Sequence, residues 1–162
     1  MGKAGTHAST VSGADKWVPA FAGLTVEMET SMATIELMRA ISAAFNSRDV
    51  ERIVDCFADD AIFCLARGPE PVGRTLRGKA AIRKALTDRF RQIPDMRWEN
   101  EEYILAGDAG DTDCAISLWT VRGRGSDGEE LNYQGCDIYR FQGDKIIHKN
   151  TFWKIVEHKD RL

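Results

Sequence analysis

Residues 131–154 read LNYQGCDIYRFQGDKIIHKNTFWK, and this stretch predicts a β-hairpin. Two segments rich in aromatic and β-branched residues, 131–141 and 145–155, flank the turn Gly143-Asp144. Side chains alternate between the two faces of a strand. One face of the first segment therefore carries Leu131, Tyr133, Gly135, Asp137, Tyr139 and Phe141. The matching face of the second segment carries Ile147, Lys149, Thr151 and Trp153.

Each of these two faces holds one charged residue among apolar neighbours, Asp137 on the first and Lys149 on the second. Because the hairpin brings the segments together, the two residues are predicted to face each other. Burial of either charge without a partner would be costly. The pattern fits a structural ion pair, a solvated outer face, or a pair of polar groups inside a pocket.

The residues before the hairpin predict two more strands and three helices. Strand segments at 96–105 and 114–122 are separated by Gly and Asp turns. The first helix follows the N-cap Thr34 and ends at Asn46-Ser47, and Met38, Ile41 and Phe45 share one of its faces.

A second helix is predicted after the cap Asp49, with Val50, Ile53, Val54 and Phe57 at helical spacing, and it ends at 59–60. Residues 61–65 predict a short strand, 67–73 a loop, and 79–90 a third helix. Helices followed by a meander of antiparallel strands are typical of an α+β domain with helices on one sheet face.

Composition excludes several classes of function. The 162-residue chain has 43% hydrophobic residues and a net charge of −3, so it suits one globular domain and offers no basic stripe for nucleic acid. No apolar run is long enough to span a membrane, and we expect a cytoplasmic protein. Neither zinc-type spacing nor a disulfide framework is indicated by the cysteines and histidines, which are Cys56, Cys64, Cys114, Cys136, His7, His148 and His158. We expect no metal and no cofactor.

Two short motifs are better explained by turns than by ligand sites. Residues 123–128 match G-x-G-x-x-G, but a strand follows where a dinucleotide site requires a helix, so a hairpin is predicted. Residues 108–113 are rich in Asp but lack the spacing and terminal Glu of a calcium loop.

Residues 1–31 are expected to lie outside the domain. They lack helical or alternating periodicity, and Lys16, Pro19 and scattered glycines interrupt any signal-peptide core. We expect a poorly ordered extension at 1–31 and one domain at 32–162, with Met28 or Met32 as the natural start.

Short segments along the chain together resemble the SnoaL-like and ketosteroid-isomerase-like proteins, within the nuclear-transport-factor-2-like superfamily. They are Asn46-Ser47-Arg48-Asp49, residues 57–61, residues 78–83, Asp137-Ile138-Tyr139-Arg140-Phe141 and Gly143-Asp144-Lys145-Ile146. The resemblance covers residues 34–157 and implies a cone-shaped, curved antiparallel sheet packed against three helices. It also implies a homodimer, with Cys136, Ile138 and Arg140 on the contact face.

Ketosteroid isomerases have a catalytic Asp after the first strand and a Tyr on the first helix, and the matching positions here hold Leu65 and Ile41. Asp137 matches the second acid of the ketosteroid isomerases, which an apolar site keeps in its protonated form. A neighbouring Lys149 would stabilise the charged form instead, which points to a different chemistry.

The fold and the hairpin together predict a small-molecule pocket inside the cone. Asp137 and Lys149 are the candidate catalytic residues. The candidate lining residues are Ile41, Phe63, Leu65, Phe90, Trp119, Tyr133, Tyr139, Thr151 and Trp153. One hypothesis is a cofactor-independent isomerase, lyase or hydrolase that acts on a small apolar or aromatic compound. The other is a non-catalytic ligand-binding or assembly module, because one fold serves many functions.

Overall fold

A computed structural model describes residues 33–108, 111–126, 128 and 130–155. The predicted extension at 1–31 and the centre of the Asp-rich turn, at 109–110, lie outside the described residues. The described part contains three helices and one sheet of six strands. The predicted α+β fold is confirmed.

The first two helices begin where the sequence places their caps. The first helix, α1, spans Ile35–Ser47, and the Thr34 hydroxyl accepts a hydrogen bond from the Leu37 amide at 3.0 Å. The short helix α2 spans Val50–Val54 after its cap, Asp49. The third helix, α3, spans Gly78–Gln92.

The prediction that helix two continues to residues 59–60 was wrong. Helix α2 ends at Val54, and Phe57 begins the first strand, where it pairs with Ile146. Phe57 is fully buried as part of β1 and stacks on Phe63 of the same strand, with 6.0 Å between ring centres. These tertiary contacts override the helical spacing of Phe57 from Val50.

The six strands form a curved, open sheet in the order β2-β1-β6-β5-β4-β3. Their bounds are β1 Phe57–Cys64, β2 Thr75–Arg77, β3 Arg97–Asp108, β4 Asp111–Arg124, β5 Glu130–Gln142 and β6 Lys145–Trp153. The last four strands are consecutive antiparallel neighbours, as predicted. The first strand pairs with β6 in parallel, so the sheet is not antiparallel throughout. Within the glycine motif, residues 123–126 and 128 lie at the β4–β5 hairpin, which confirms the interpretation of that motif.

The register of the β5–β6 hairpin differs in detail from simple alternation. Asp137 pairs with Thr151, and Tyr139 pairs with Lys149, so the two charged residues are diagonal neighbours. A register shift after Arg140 brings Ile146 opposite Phe141. Ile146 is therefore the fully buried residue at the start of β6, instead of the predicted Ile147.

The buried residues form two groups on the face covered by helices. The larger group joins α1, α2 and α3 to β1, β5 and β6, with Ile41, Ile53 and Ile82 at its centre. The smaller group surrounds Trp119 and Val121 in β4. Side chains from both groups border a cavity.

Candidate functional site

A cavity of about 490 Å³ lies between the helices and the covered face of the sheet. Most of the residues predicted for the pocket contribute to its wall. These are Phe63, Leu65, Phe90, Trp119, Asp137, Tyr139, Lys149, Thr151 and Trp153. The volume is in the range of pockets that hold small organic ligands.

Two predicted lining residues do not border this cavity. Ile41 is 2% exposed and belongs to the larger core group, while its neighbour Ser42 and Phe45 on the same helix reach the cavity wall. Tyr133 stacks on Trp153 at 5.8 Å between ring centres and borders a second cleft. Helix and strand periodicity identify a buried face, but not which buried side chains meet a void.

Asp137 is the centre of the polar cluster in the cavity wall. One carboxylate oxygen, Oδ2, accepts hydrogen bonds from the Trp119 indole N–H at 2.9 Å and from the Tyr139 hydroxyl at 3.2 Å. The other, Oδ1, accepts one from the Thr151 hydroxyl and contacts the Lys149 ammonium, both at 2.5 Å. The carboxylate thus has donors on both oxygens, as a buried charge requires.

Lys149 is paired with Asp137 and enclosed by aromatic rings. Its ammonium donates a hydrogen bond to the Thr151 hydroxyl at 2.8 Å. It lies 4.5 Å from the ring centre of Phe63, with Tyr139 and Phe45 slightly farther away. The Lys149 and Asp137 side chains are only 4% and 6% exposed. Burial lowers the pKa of Lys149, and the charge of Asp137 opposes that change.

Tyr139 links this pair to a buried serine. Its hydroxyl donates to Asp137, and a hydrogen bond with Ser117 opposes the shift in its pKa. Burial raises the pKa of Tyr139 well above its usual value, and the negative charge of Asp137 adds to the effect. The phenol therefore stays protonated and remains a hydrogen-bond donor at neutral pH.

A second carboxylate in the cavity wall, Glu101, was not predicted from the sequence. It accepts hydrogen bonds from the hydroxyls of Ser42 and Tyr103, the latter at 2.8 Å. The Asn46 amide lies 3.4 Å away and also binds the backbone of Trp98. No cation pairs with Glu101 among the residues that the structure describes.

The position of Glu101 results from an irregularity in β3. The pairing of β3 with β4 shifts between residues 99 and 102, and Asn100 has a left-handed φ of 53°. Such a bulge changes the direction of the side chains that follow it. Strict alternation from Trp98 therefore does not predict that Glu101 faces the cavity. The sequence signal for the bulge is Asn100, because Asn adopts the left-handed conformation readily.

The described part of the chain holds neither a cluster of metal ligands nor a membrane-spanning helix. It contains no group of three or more His, Cys, Asp or Glu residues that could hold a metal ion. None of its helices is both long and apolar enough to cross a membrane. The four cysteines are free thiols.

A comparison with family models decides the family. The model described as the SnoaL-like domain matches residues 38–149, which include both charged residues of the pair. The chain belongs to the SnoaL-like family. The resemblance predicted from the sequence motifs is thereby confirmed, and a small-molecule-binding fold of this type is supported.

Solved structures share the SnoaL-like fold. A candidate polyketide cyclase from Pseudomonas putida has a TM-score of 0.66 and 19% identity, over 77% of this chain and 94% of its own. A protein of unknown function with a cystatin-like fold, from Xanthomonas campestris, has a TM-score of 0.63 and 20% identity, over 76% and 92%. A candidate isomerase from Bacillus subtilis has a TM-score of 0.62 and 18% identity, over 74% and 84%. At these identities the likeness shows the fold, and a comparison with curated proteins gave no match.

Proposed function

We propose that this SnoaL-like protein is a cofactor-independent enzyme that moves protons on a small apolar or aromatic compound, with Asp137 and Lys149 as its working groups. The observation that carries the proposal is the buried ion pair in the wall of a cavity whose lining includes seven aromatic side chains. Active sites typically combine apolar walls with a few converging polar groups, one of them with a perturbed pKa. Lys149 meets that description.

The two charges suit two parts of one proton-transfer reaction. Lys149 can stabilise the negative charge that develops on a substrate oxygen. Asp137 can accept a proton from the carbon next to a carbonyl group. In this step the C–H bond breaks, its proton passes to the Asp137 carboxylate, and its electron pair forms an enolate. Return of the proton to another carbon completes an isomerisation. In an elimination, the electron pair of the enolate forms a new C=C bond as the bond to a leaving group on the β carbon breaks, and the proton held by Asp137 can pass to the departing group.

Glu101 is a second carboxylate in the wall of the same cavity. Its partners Ser42, Asn46 and Tyr103 are neutral donors, whereas Asp137 is paired with a cation. The negative charge of Glu101 also raises the pKa of Tyr139, whose hydroxyl donates to Asp137.

The proposed mechanism differs from that of ketosteroid isomerases. The positions that would hold their Tyr and catalytic Asp are apolar here, with Ile41 in the core and Leu65 on the cavity wall. The names of two structural neighbours, a candidate polyketide cyclase and a candidate isomerase, agree with a small-molecule enzyme. They do not identify the reaction.

Hydrogen–deuterium exchange into 2-tetralone tests the proposal without knowledge of the natural substrate. This bicyclic aromatic ketone has acidic protons next to its carbonyl, and exchange in D2O is followed by proton NMR. We expect the protein to accelerate exchange about 100-fold or more over buffer, the usual contribution of a positioned acid or base. Exchange at the buffer rate, with 2-tetralone shown to bind, would favour the non-catalytic binding module.

We also propose that the uncovered face of the sheet forms a homodimer. Cross-strand neighbours Leu118, Cys136 and Phe152 make an apolar row there, and Leu118 and Phe152 are 38% and 48% exposed. Ile138 and Arg140 lie on the same face of β5. Exposed apolar rows of this kind are typical of protein contacts.

Sedimentation velocity at micromolar concentration should show a dimer for the wild type and a monomer for Phe152→Asp, because the new charge would be buried at the contact. Val72→Asp, at a loop residue that is 55% exposed, is the matched control and should remain dimeric. A monomeric wild type would contradict the dimer proposal.

A further inference from the structure

Two arginines line the same end of the cavity, which we call its rim. Arg67 belongs to the loop between β1 and β2, and Arg89 belongs to α3. Both border the main cavity and also the adjoining polar cleft of about 410 Å³. Arg67 is exposed, while Arg89 is half-buried with its guanidinium 5.8 Å from the ring centre of Trp153.

Neither arginine has an acidic partner among the described residues. Asp88, which precedes Arg89 in the sequence, also borders the cavity. Its carboxylate is bound by Lys84 at 2.7 Å and by Arg91 at 3.2 Å. Burial lowers the pKa of Arg89, and the positive charge of Arg67 lowers it further. Two like charges held close together without a counter-charge form a site for an anion.

Trp153 supplies a third donor at this end of the cavity. Its indole Nε1 is buried and has no hydrogen-bond acceptor among the residues described. By contrast, the indole N–H of Trp119, which also lies in the cavity wall, donates to Asp137. Buried donors are normally paired. The Trp153 indole therefore offers an N–H donor that still lacks an acceptor, close to the guanidinium group of Arg89.

We infer that the ligand of this cavity carries an oxyanion, a carboxylate or a phosphate ester, that binds between Arg67 and Arg89 next to Trp153. The inference rests on the proposed function, since it names the substrate class of the same cavity. The planar guanidinium group binds such anions through paired N–H donors, and stacking on Trp153 holds Arg89 in place. The apolar body of the ligand then extends along the aromatic wall toward Lys149.

Calorimetric titration with three matched probes tests this assignment. The probes are 2-naphthoate, 2-naphthyl phosphate and the neutral 2-naphthamide, which share the same aromatic body. We expect at least one anionic probe to bind about ten-fold or more tightly than the amide, because hydrogen bonds to charged groups contribute strongly. The comparison of the two anions shows which oxyanion the rim prefers.

Variants of the arginines identify the rim as the source of that difference. Arg89→Gln and the surface variant Arg67→Gln should each remove most of the preference for the anion, because each weakens binding of the anion far more than binding of 2-naphthamide. Arg52→Gln, which changes the net charge equally at an exposed residue of α2, should keep the preference.

The outcomes separate this inference from the proposed function. If the amide and the anions bind equally to the wild type, or if both arginine variants keep the preference, the oxyanion site is contradicted while the small-molecule cavity stands. If none of the three probes binds at millimolar concentration, both proposals fail.

Discussion

Asp137→Leu and Lys149→Met should each lower the free energy of unfolding by about 3–5 kcal/mol, whereas the double variant should lose much less. Each single change leaves the other charge buried, with 4–6% of its side chain exposed and no ionic partner. The double change replaces both charges by apolar groups of similar volume among Phe63, Tyr139 and Phe45. The coupling between the two sites is therefore expected to be large.

Urea unfolding of the wild type and the three variants measures this coupling. Lys79→Met is the control, because Lys79 forms an ion pair with Asp59, whose side chain is 96% exposed. Exposed ion pairs contribute little, so this variant should unfold close to the wild type. Single variants of the buried pair that are as stable as the parent would show that the two charges are not held together inside the protein.

The sequence predicted this pair because two ordinary rules agreed. Period-two alternation placed each charge on an apolar face, and a tight turn joined the two strands. The same rules predicted the four-stranded meander. Diagonal packing of Asp137 and Lys149 still brings their charged atoms together, since long side chains reach a diagonal neighbour across an antiparallel pair.

Irregularities of the backbone could not be predicted in the same way. The bulge near Asn100 brings Glu101 to the cavity wall, and the register shift after Arg140 buries Ile146. Each depends on how a long strand fits the curved sheet, and alternation within one strand carries no information on it. Phe57 was assigned to a helix for a related reason, because its strand partner lies 89 positions later in the chain.

Cavity membership depends on how separate elements come together. Ile41 and Phe45 share a helix face, yet Phe45 reaches the void while Ile41 is enclosed by the core group. Arg67 lies in a loop without regular structure, and Arg89 lies on α3, so only the folded chain brings them to one rim. The sequence shows charged residues at both positions but gives no reason to join them.

Exchange catalysed by the double variant Asp137→Leu/Lys149→Met tests the central claim most directly. This variant should stay folded and keep the cavity while it lacks both working groups, so loss of activity would not reflect unfolding. We predict that it returns the exchange rate of 2-tetralone in D2O to that of buffer, a loss of about 100-fold or more relative to the wild type. A folded double variant that exchanges 2-tetralone as fast as the wild type would contradict the assignment of Asp137 and Lys149 as the catalytic groups.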